Sequence, residues 1–336
     1  MREASRSSRA VGVDMDGIQR PTDAPCRGNK SPVLQIFFVV TECLLCNHDV
    51  MGRTSTAIST AGTQSGLGKF TSKFPLFTKV ALVLTWLIGP YFAAHGVYFA
   101  VLNRNPGIDA HAYWLAGRGP VDYSRVAGEI DAYLYSPAFA TAVRPLAALD
   151  WPFFFAAWVV LQGSLLAWLL KPLPFRWSIP IFLLCVPELV NANIFILLAA
   201  SAVIGTRYPV SWAFPLLTKI TSGVGLFWYA ARREWMNVAK ILTFTAAIAA
   251  VSYILTPNEW QAWFHFLLSN SGGTQDGTVS FVLRCLAAVM TVMWGAKKNL
   301  HWVMAPAMVL ASPVFALPTL TLLAAIPRLS AAGSRP

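Results

Sequence analysis

The chain has 336 residues, of which 56% are hydrophobic and only 12% charged, with a net charge of +11. Soluble domains carry about 25% charged residues, so this composition excludes an ordinary water-soluble domain and points to a membrane protein. The Lys and Arg residues lie mostly between apolar runs, so the positive charge is read as membrane topology and no nucleic-acid partner is expected.

Residues 1–68 are rich in Ser, Thr, Gly, Arg and Asp and hold one short apolar run, VLQIFFVVTECLLC. That run is too short to span a bilayer and carries Glu42, and it lacks a clear cleavage site for a signal peptide. The expectation is a disordered, dispensable leader, with Met51 as an alternative start. Cys43-Leu-Leu-Cys46-Asn-His48 comes near a haem-attachment pattern, but His48 stands one residue late. Asp14-Met15-Asp16 is read as accidental. No metal or cofactor is expected.

The membrane domain is expected over 69–336. Residues 80–102 contain no Asp, Glu, Lys or Arg and are long enough to cross a bilayer. A polar outer stretch follows over 103–131. Residues 134–149, broken by Pro137, Arg144 and Pro145, predict a re-entrant or short half-helix. A clear span is expected at 151–170. Residues 177–206, around Glu188, Asn191 and Asn193, hold one kinked span or two short ones. The stretch 208–231 carries a central Lys219, and cleaner spans are expected at 241–257 and 285–296. A last apolar region, 299–327, is split by Pro306, Pro313 and Pro318. The fold class is therefore all-α, a polytopic integral membrane protein with roughly eight to ten membrane-embedded helices.

Basic residues set an orientation. Lys69, Lys73 and Lys79 precede the first span, while Lys171/Arg176, Arg232/Arg233/Lys240 and Lys297/Lys298 close later ones. Placing these in the cytoplasm leaves 103–133 and 258–277 outside, the latter without a single Lys or Arg. The number of crossings within 177–231 stays open, so Arg207 is outside in one solution and inside in the other.

The two outer loops hold the candidate chemistry. The first contains Asp109, His111, Tyr113, Trp114, Asp122, Asp131 and Tyr135. Asp109 beside His-Ala-Tyr-Trp either is a solvated loop residue or sits in partly dry surroundings that raise its pKa and make it a better base. In the second loop, Trp260, Trp263, Phe264 and Leu267 fall at i, i+3, i+4 and i+7, the pattern of an amphipathic surface helix. It serves either as an aromatic membrane anchor or as a wall of a lipid-substrate groove. Lys219 is a functional candidate because an isolated cation is costly at membrane depth, against a snorkelling lysine as the plainer reading. Arg104, Arg144 and Arg284 are alternative cations near span ends. Glu188, Asn191 and Asn193 either bind substrate hydroxyls or hydrogen-bond between helices.

GIDAHAYWLAGRG, followed by VDYSRVAGEIDAYLYSPAFATAVRPLAALDWPFFFAAW, resembles the N-terminal signature of glycosyltransferase family 87. That family comprises polyprenyl-phosphate-mannose-dependent mannosyltransferases of the GT-C superfamily. Its Asp-x-x-x-Tyr falls on Asp109 and Tyr113, its Tyr-x-Pro-Phe-like element on Tyr135-Ser136-Pro137-Ala138-Phe139, and its Pro-Leu on Pro145-Leu146. NANIFILLAASAVIG and LLTKITSGVGLFWYAARREW are similar to the family's Asn-containing helix and Lys-containing segment. The likeness covers about 69–328 and departs from the pattern twice. Lys219-Ile-Thr-Ser222 replaces the common Lys-x-x-Pro, and Ser312-Pro313 is followed by Val-Phe-Ala-Leu-Pro, not by His and Trp.

The resemblance implies a GT-C-like, multi-pass plasma-membrane enzyme that moves a hexose, with mannose the expected sugar, from a polyprenyl-phosphate donor to a lipid or glycan acceptor with inversion. Asp109 would deprotonate the acceptor hydroxyl, and cations such as Lys219 would stabilise the leaving lipid phosphate. His111, Tyr113, Tyr135, Asn191, Asn193, Lys219, Arg144, Arg284, Trp260 and Trp263 are the expected substrate contacts. The competing readings are a membrane transporter or lipid flippase, and a catalytically inactive scaffold of the same fold. Paired inverted halves, which transporters often show, are not visible in the sequence.

Overall fold

A computed structural model describes residues 75–102, 106–125, 128–269, 278–313 and 317–333, and among these the chain is all-helical, with no strand. The expectations for the leader and for Arg104 lie outside the described residues. Helix α1 (Pro75–Leu102) is followed by the short α2 (Ile108–Arg118) and α3 (Pro137–Ala147), then by the long α4 (Trp151–Leu170). Three short pieces come next: α5 (Phe175–Leu184), α6 (Val186–Asn191) and α7 (Phe195–Gly205). A 3₁₀ turn at Pro209–Trp212 leads into α8 (Ala213–Thr218), and another at Ile220–Ser222 into α9 (Gly225–Ala231). Next come α10 (Trp235–Leu255), α11 (Pro257–Ser269) and α12 (Thr278–Lys297). The described chain closes with a 3₁₀ turn at His301–Val303, α13 (Met304–Leu310), a 3₁₀ stretch Leu317–Ala325 and α14 (Ile326–Gly333).

Four of these helices, α1, α4, α10 and α12, are long and apolar enough to cross a membrane. Those at 80–102 and 151–170 fall where the charge-free runs place them. The other two begin earlier than expected, because Lys240 and Arg284 lie inside α10 and α12. Long basic side chains have good helix propensity and lay their stems along apolar surface, so a single charge does not end a helix.

The apolar region 177–206 forms short helices, not one kinked span, and 208–231 and 299–327 are likewise broken into short pieces. Pro180 lies inside α5, and Pro187 opens α6. Ala192, in the left-handed conformation at φ 58°, ends α6. A proline cannot donate to the preceding turn, and a left-handed residue reverses the chain, so 177–206 does not continue as one rod.

Helix α4 is the central post. Phe154, Trp158, Leu165 and Leu169 on it are fully buried, whereas α1 exposes Leu76, Val83, Leu87 and Val101 over most of its length. An apolar face of that extent matches a hydrocarbon surround better than water. The opposite side of α1 is committed to protein: a Cβ on Gly89 would come within 2.6 Å of the Pro180 carbonyl oxygen, so only glycine allows α1 to lie this close to α5.

The polar stretch after α1 is not a plain loop, since it contains α2. Gly107 starts that helix with φ 75°, and a Cβ there would meet the Phe155 ring at 2.6 Å. Its N–H donates to Val190 O at 2.8 Å, which ties the start of α2 to α6. From Ile108 to Arg118 no Pro interrupts the chain, and Ala110, Ala112 and Ala116 are buried. Periodicity over 11 residues that include Asp, His and Arg was too weak to reveal this helix against its polar background.

Candidate functional site

Asp109 lies in the first turn of α2, with Tyr113 one turn later on the same face. Tyr113 is fully buried in an aromatic cluster with Tyr133, Tyr135, Phe139 and Trp158. Its hydroxyl lies 3.2 Å from that of Tyr135. Asp109 therefore sits at the edge of this cluster, half-buried. Burial raises its carboxyl above the ordinary carboxylate range, while a hydrogen bond from Asn193 and the charge of Lys219 pull it partly back.

The α6–α7 junction supplies the partners. The left-handed turn at Ala192 is fixed by a 2.9 Å bond from Trp158 Nε1 to Ala192 O, so α4 holds the turn in place. Asn193 then projects toward α2, and its Nδ2 donates to Asp109 Oδ2 at 2.9 Å. Its Oδ1 accepts from the Ile194 N–H at 2.7 Å and from the Tyr135 hydroxyl at 3.5 Å. Glu188, only 2% exposed, accepts the Phe195 N–H at 3.3 Å through Oε1, a favourable place for an anion at the start of α7.

Lys219 reaches the same junction from the break between α8 and the Ile220–Ser222 turn. Ser136 fixes that break by donating from Oγ to Leu217 O at 2.5 Å. The Lys219 Nζ stands 3.4 Å from the centre of the Phe195 ring and 6.0 Å from that of Tyr135. Such a position is a favourable cation–π contact in a desolvated setting. The structure thus brings together Asp109, Tyr113, Tyr135, Asn193 and Lys219, and adds Glu188 and Phe195.

Other expected residues lie elsewhere. His111 is two residues past Asp109 and so points away from it on the helix. Its Nδ1 lies 2.6 Å from Asp131 Oδ1, and its ring packs edge-on against Trp151. Asn191 closes α6, half-buried, and its side chain makes no hydrogen bond among the described residues. Arg144 on α3 donates from Nη2 to Glu259 Oε1 on α11 at 3.3 Å. Arg284 donates from Nη1 to Ser312 O at 2.9 Å, at the end of α13.

Trp260 and Trp263 pack inward with Ala138, and Tyr123 and Leu217 lie against them. Phe264 and Leu268 on the same helix point outward and are exposed. Helix α11 is therefore anchored to the protein through its tryptophans, and its outer apolar edge is left to the surroundings. Among the described residues no group of three His, Cys, Asp or Glu side chains could hold a metal ion.

Phe195 was not legible as a site residue. Its role depends on Lys219 arriving from 24 positions downstream, and nothing in its local pattern separates it from an ordinary apolar helix residue. Glu188 and Asn193 were legible, because polar residues within an apolar run stand out.

Among the described residues these observations define an all-helical protein with four helices fit to cross a membrane and a polar, charged junction beside an aromatic core. Comparisons with protein-family models, with curated proteins and with solved structures find no match to the chain.

Proposed function

We propose that the chain is a multi-pass plasma-membrane glycosyltransferase, with short apolar helices embedded beside the four long ones. It moves a hexose, mannose in the first instance, from a polyprenyl-phosphate donor to a lipid or glycan acceptor, with inversion and on the non-cytoplasmic face. The observation that carries this reading is the environment of Asp109. A half-buried carboxylate with a raised pKa, oriented by Asn193 and lying beyond the first span, is suited to act as a general base on an acceptor hydroxyl. Hydroxyl and amide groups of Tyr135 and Asn193 line the same junction and suit a polar, hydroxyl-rich substrate. Helix α11 is held by its inward tryptophans, and its exposed Phe264 and Leu268 supply apolar surface for a lipid tail.

In the proposed reaction the acceptor oxygen gives its proton to Asp109 and forms a bond to the anomeric carbon. The bond from that carbon to the lipid phosphate breaks, and the phosphate leaves with the electron pair. Asn193 holds Asp109 Oδ2, which leaves Oδ1 as the oxygen that takes the proton.

The test is incubation of the purified full chain with radiolabelled polyprenyl-phosphate-mannose and a membrane lipid extract. The expected result is label in a new glycolipid or glycan product, lost in Asp109→Asn. Absence of transfer from this donor and from other polyprenyl-phosphate hexoses would overturn the reading, leaving a transporter, flippase or inactive scaffold.

A further inference from the structure

Three charged side chains converge on the short stretch Asn193–Phe195. Asp109 is bound by the Asn193 amide, Glu188 accepts the Phe195 N–H, and the Lys219 ammonium rests on the Phe195 ring. Lys219 lies within electrostatic reach of both carboxylates. The second oxygen of Glu188, Oε2, is sealed from solvent and has no hydrogen-bond partner. A plain helix-start role for Glu188 accounts for Oε1 and leaves Oε2 unexplained. A buried carboxylate oxygen without a donor is costly unless a cation compensates it.

We infer that Lys219 is the shared counter-ion of Asp109 and Glu188, not the cation that holds the donor's phosphate, and that Glu188 is a positioning residue for the base. The inference rests on the proposed glycosyl transfer for the role of Asp109, but the charge trio itself does not depend on it. The charge count favours this assignment. Two carboxyl groups and one ammonium leave the junction with no surplus positive charge, so a phosphate placed on Lys219 would compete with both carboxyl groups for the same cation. A lipid phosphate would then be held outside this trio. Burial acts most strongly on the protonation of Asp109, and the polar groups around it are Asn193, Lys219, Tyr113, Tyr135 and Glu188.

The test uses Lys219→Met, Glu188→Gln and the double variant of the full chain. Glutamine keeps the bond to the Phe195 N–H through its carbonyl oxygen and removes only the charge. Thermal stability in detergent at neutral pH is the first readout, and it needs no activity. Lys219→Met should lower Tm by about 5–10 °C, because two buried carboxylates lose their cation. Adding Glu188→Gln should restore much of that loss, by more than the same substitution changes Tm in the wild-type background. Losses that simply add would overturn the trio.

The second readout is transfer kinetics. Lys219→Met should cut kcat about tenfold or more and leave the donor KM within roughly threefold. The acid limb of the pH–rate profile should move up in Lys219→Met and down in Glu188→Gln, since one removes a positive neighbour of Asp109 and the other a negative one. A merely structural role would not move the two limbs in opposite directions. A raised donor KM with unchanged kcat in Lys219→Met would overturn the assignment and return Lys219 to the phosphate. If the wild-type chain transfers no sugar while the stability coupling is present, the glycosyltransferase reading fails and the charge trio stands.

Discussion

Asn193 donates from Nδ2 to Asp109 Oδ2 at 2.9 Å across 84 positions of sequence. The orientation of that amide is fixed, because its oxygen already accepts the Ile194 N–H at 2.7 Å. Only the amide nitrogen is left to face Asp109, so this carboxylate oxygen is held as an acceptor. The α6–α7 junction thereby presets the geometry of a residue on α2.

Asp109→Asn keeps the shape of the side chain and removes the proton acceptor. Transfer should fall by ~10²–10⁴-fold, the usual contribution of general-base catalysis. Folding should not suffer. The carboxyl pKa of Asp109 is raised on folding, so its ionised form costs stability above the folded pKa, and the cost vanishes below the unfolded one. At neutral pH the Asn variant should therefore melt no lower than wild type. Asp122→Asn is the control, since Asp122 is exposed and should change transfer little. A turnover near normal in Asp109→Asn would remove the base from the mechanism.

Asn193→Asp tests the orienting contact without disturbing the start of α7, because a carboxylate still accepts the Ile194 N–H. The substitution replaces a donor that stabilises ionised Asp109 with a like charge. Both changes raise the Asp109 pKa. Since the base works ionised, the acid limb of kcat/KM should move to higher pH, by an amount on the order of one unit or more. The profile is measured by initial rates over a pH series, and an unmoved acid limb would disconnect Asn193 from the base.

Arg144 and Glu259 join α3 to α11 at 3.3 Å, with Glu259 much the more buried partner. Burial pushes the Glu259 carboxyl up, and the Arg144 guanidinium draws it back. Removing the arginine leaves a half-buried carboxylate with less compensation, so Arg144→Met should cost about 1–2 kcal/mol of stability. Arg144→Met/Glu259→Gln should recover most of it. A double-mutant cycle in thermal or denaturant unfolding reads the coupling, and additive losses would mean that the pair contributes nothing across this contact.

Helix α11 packs through Trp260 and Trp263 against Ala138 of α3, with Tyr123 beside them, so the segments after α1 and α10 meet at one end of the chain. In the proposed topology, the positive-inside asymmetry puts these segments outside the cytoplasm. Ser124→Cys and Gln261→Cys, both at exposed positions, should react with an impermeant thiol reagent in intact cells when the natural cysteines are replaced. Labelling of either only after lysis would reverse the orientation and move Asp109 to the cytoplasmic side.

The sequence by itself determined the helical class, the positions of α1 and α4 and the existence, though not the starts, of α10 and α12, because a span of apolar residues long enough to cross a bilayer is a local property of the chain. It also marked Asp109, Glu188, Asn193 and Lys219, since an ionisable or amide group within or beside an apolar run carries a cost that demands a reason. Helix α2 and the limits of the short pieces between α4 and α10 were beyond its reach. Short helices have weak periodicity, and their limits are set by tertiary contacts such as Gly107 against Phe155 and Trp158 Nε1 on Ala192 O. Only the tertiary structure decided which polar residues meet. Helical geometry turns His111 away from Asp109 and toward Asp131, although the two are near neighbours in sequence. The left-handed turn at Ala192 and the break at Lys219 bring Asn193, Phe195 and the ammonium to one junction from distant segments. Hydrogen bonds and charge pairs act over a few ångströms of space, and that separation is a property of packing, not of sequence spacing.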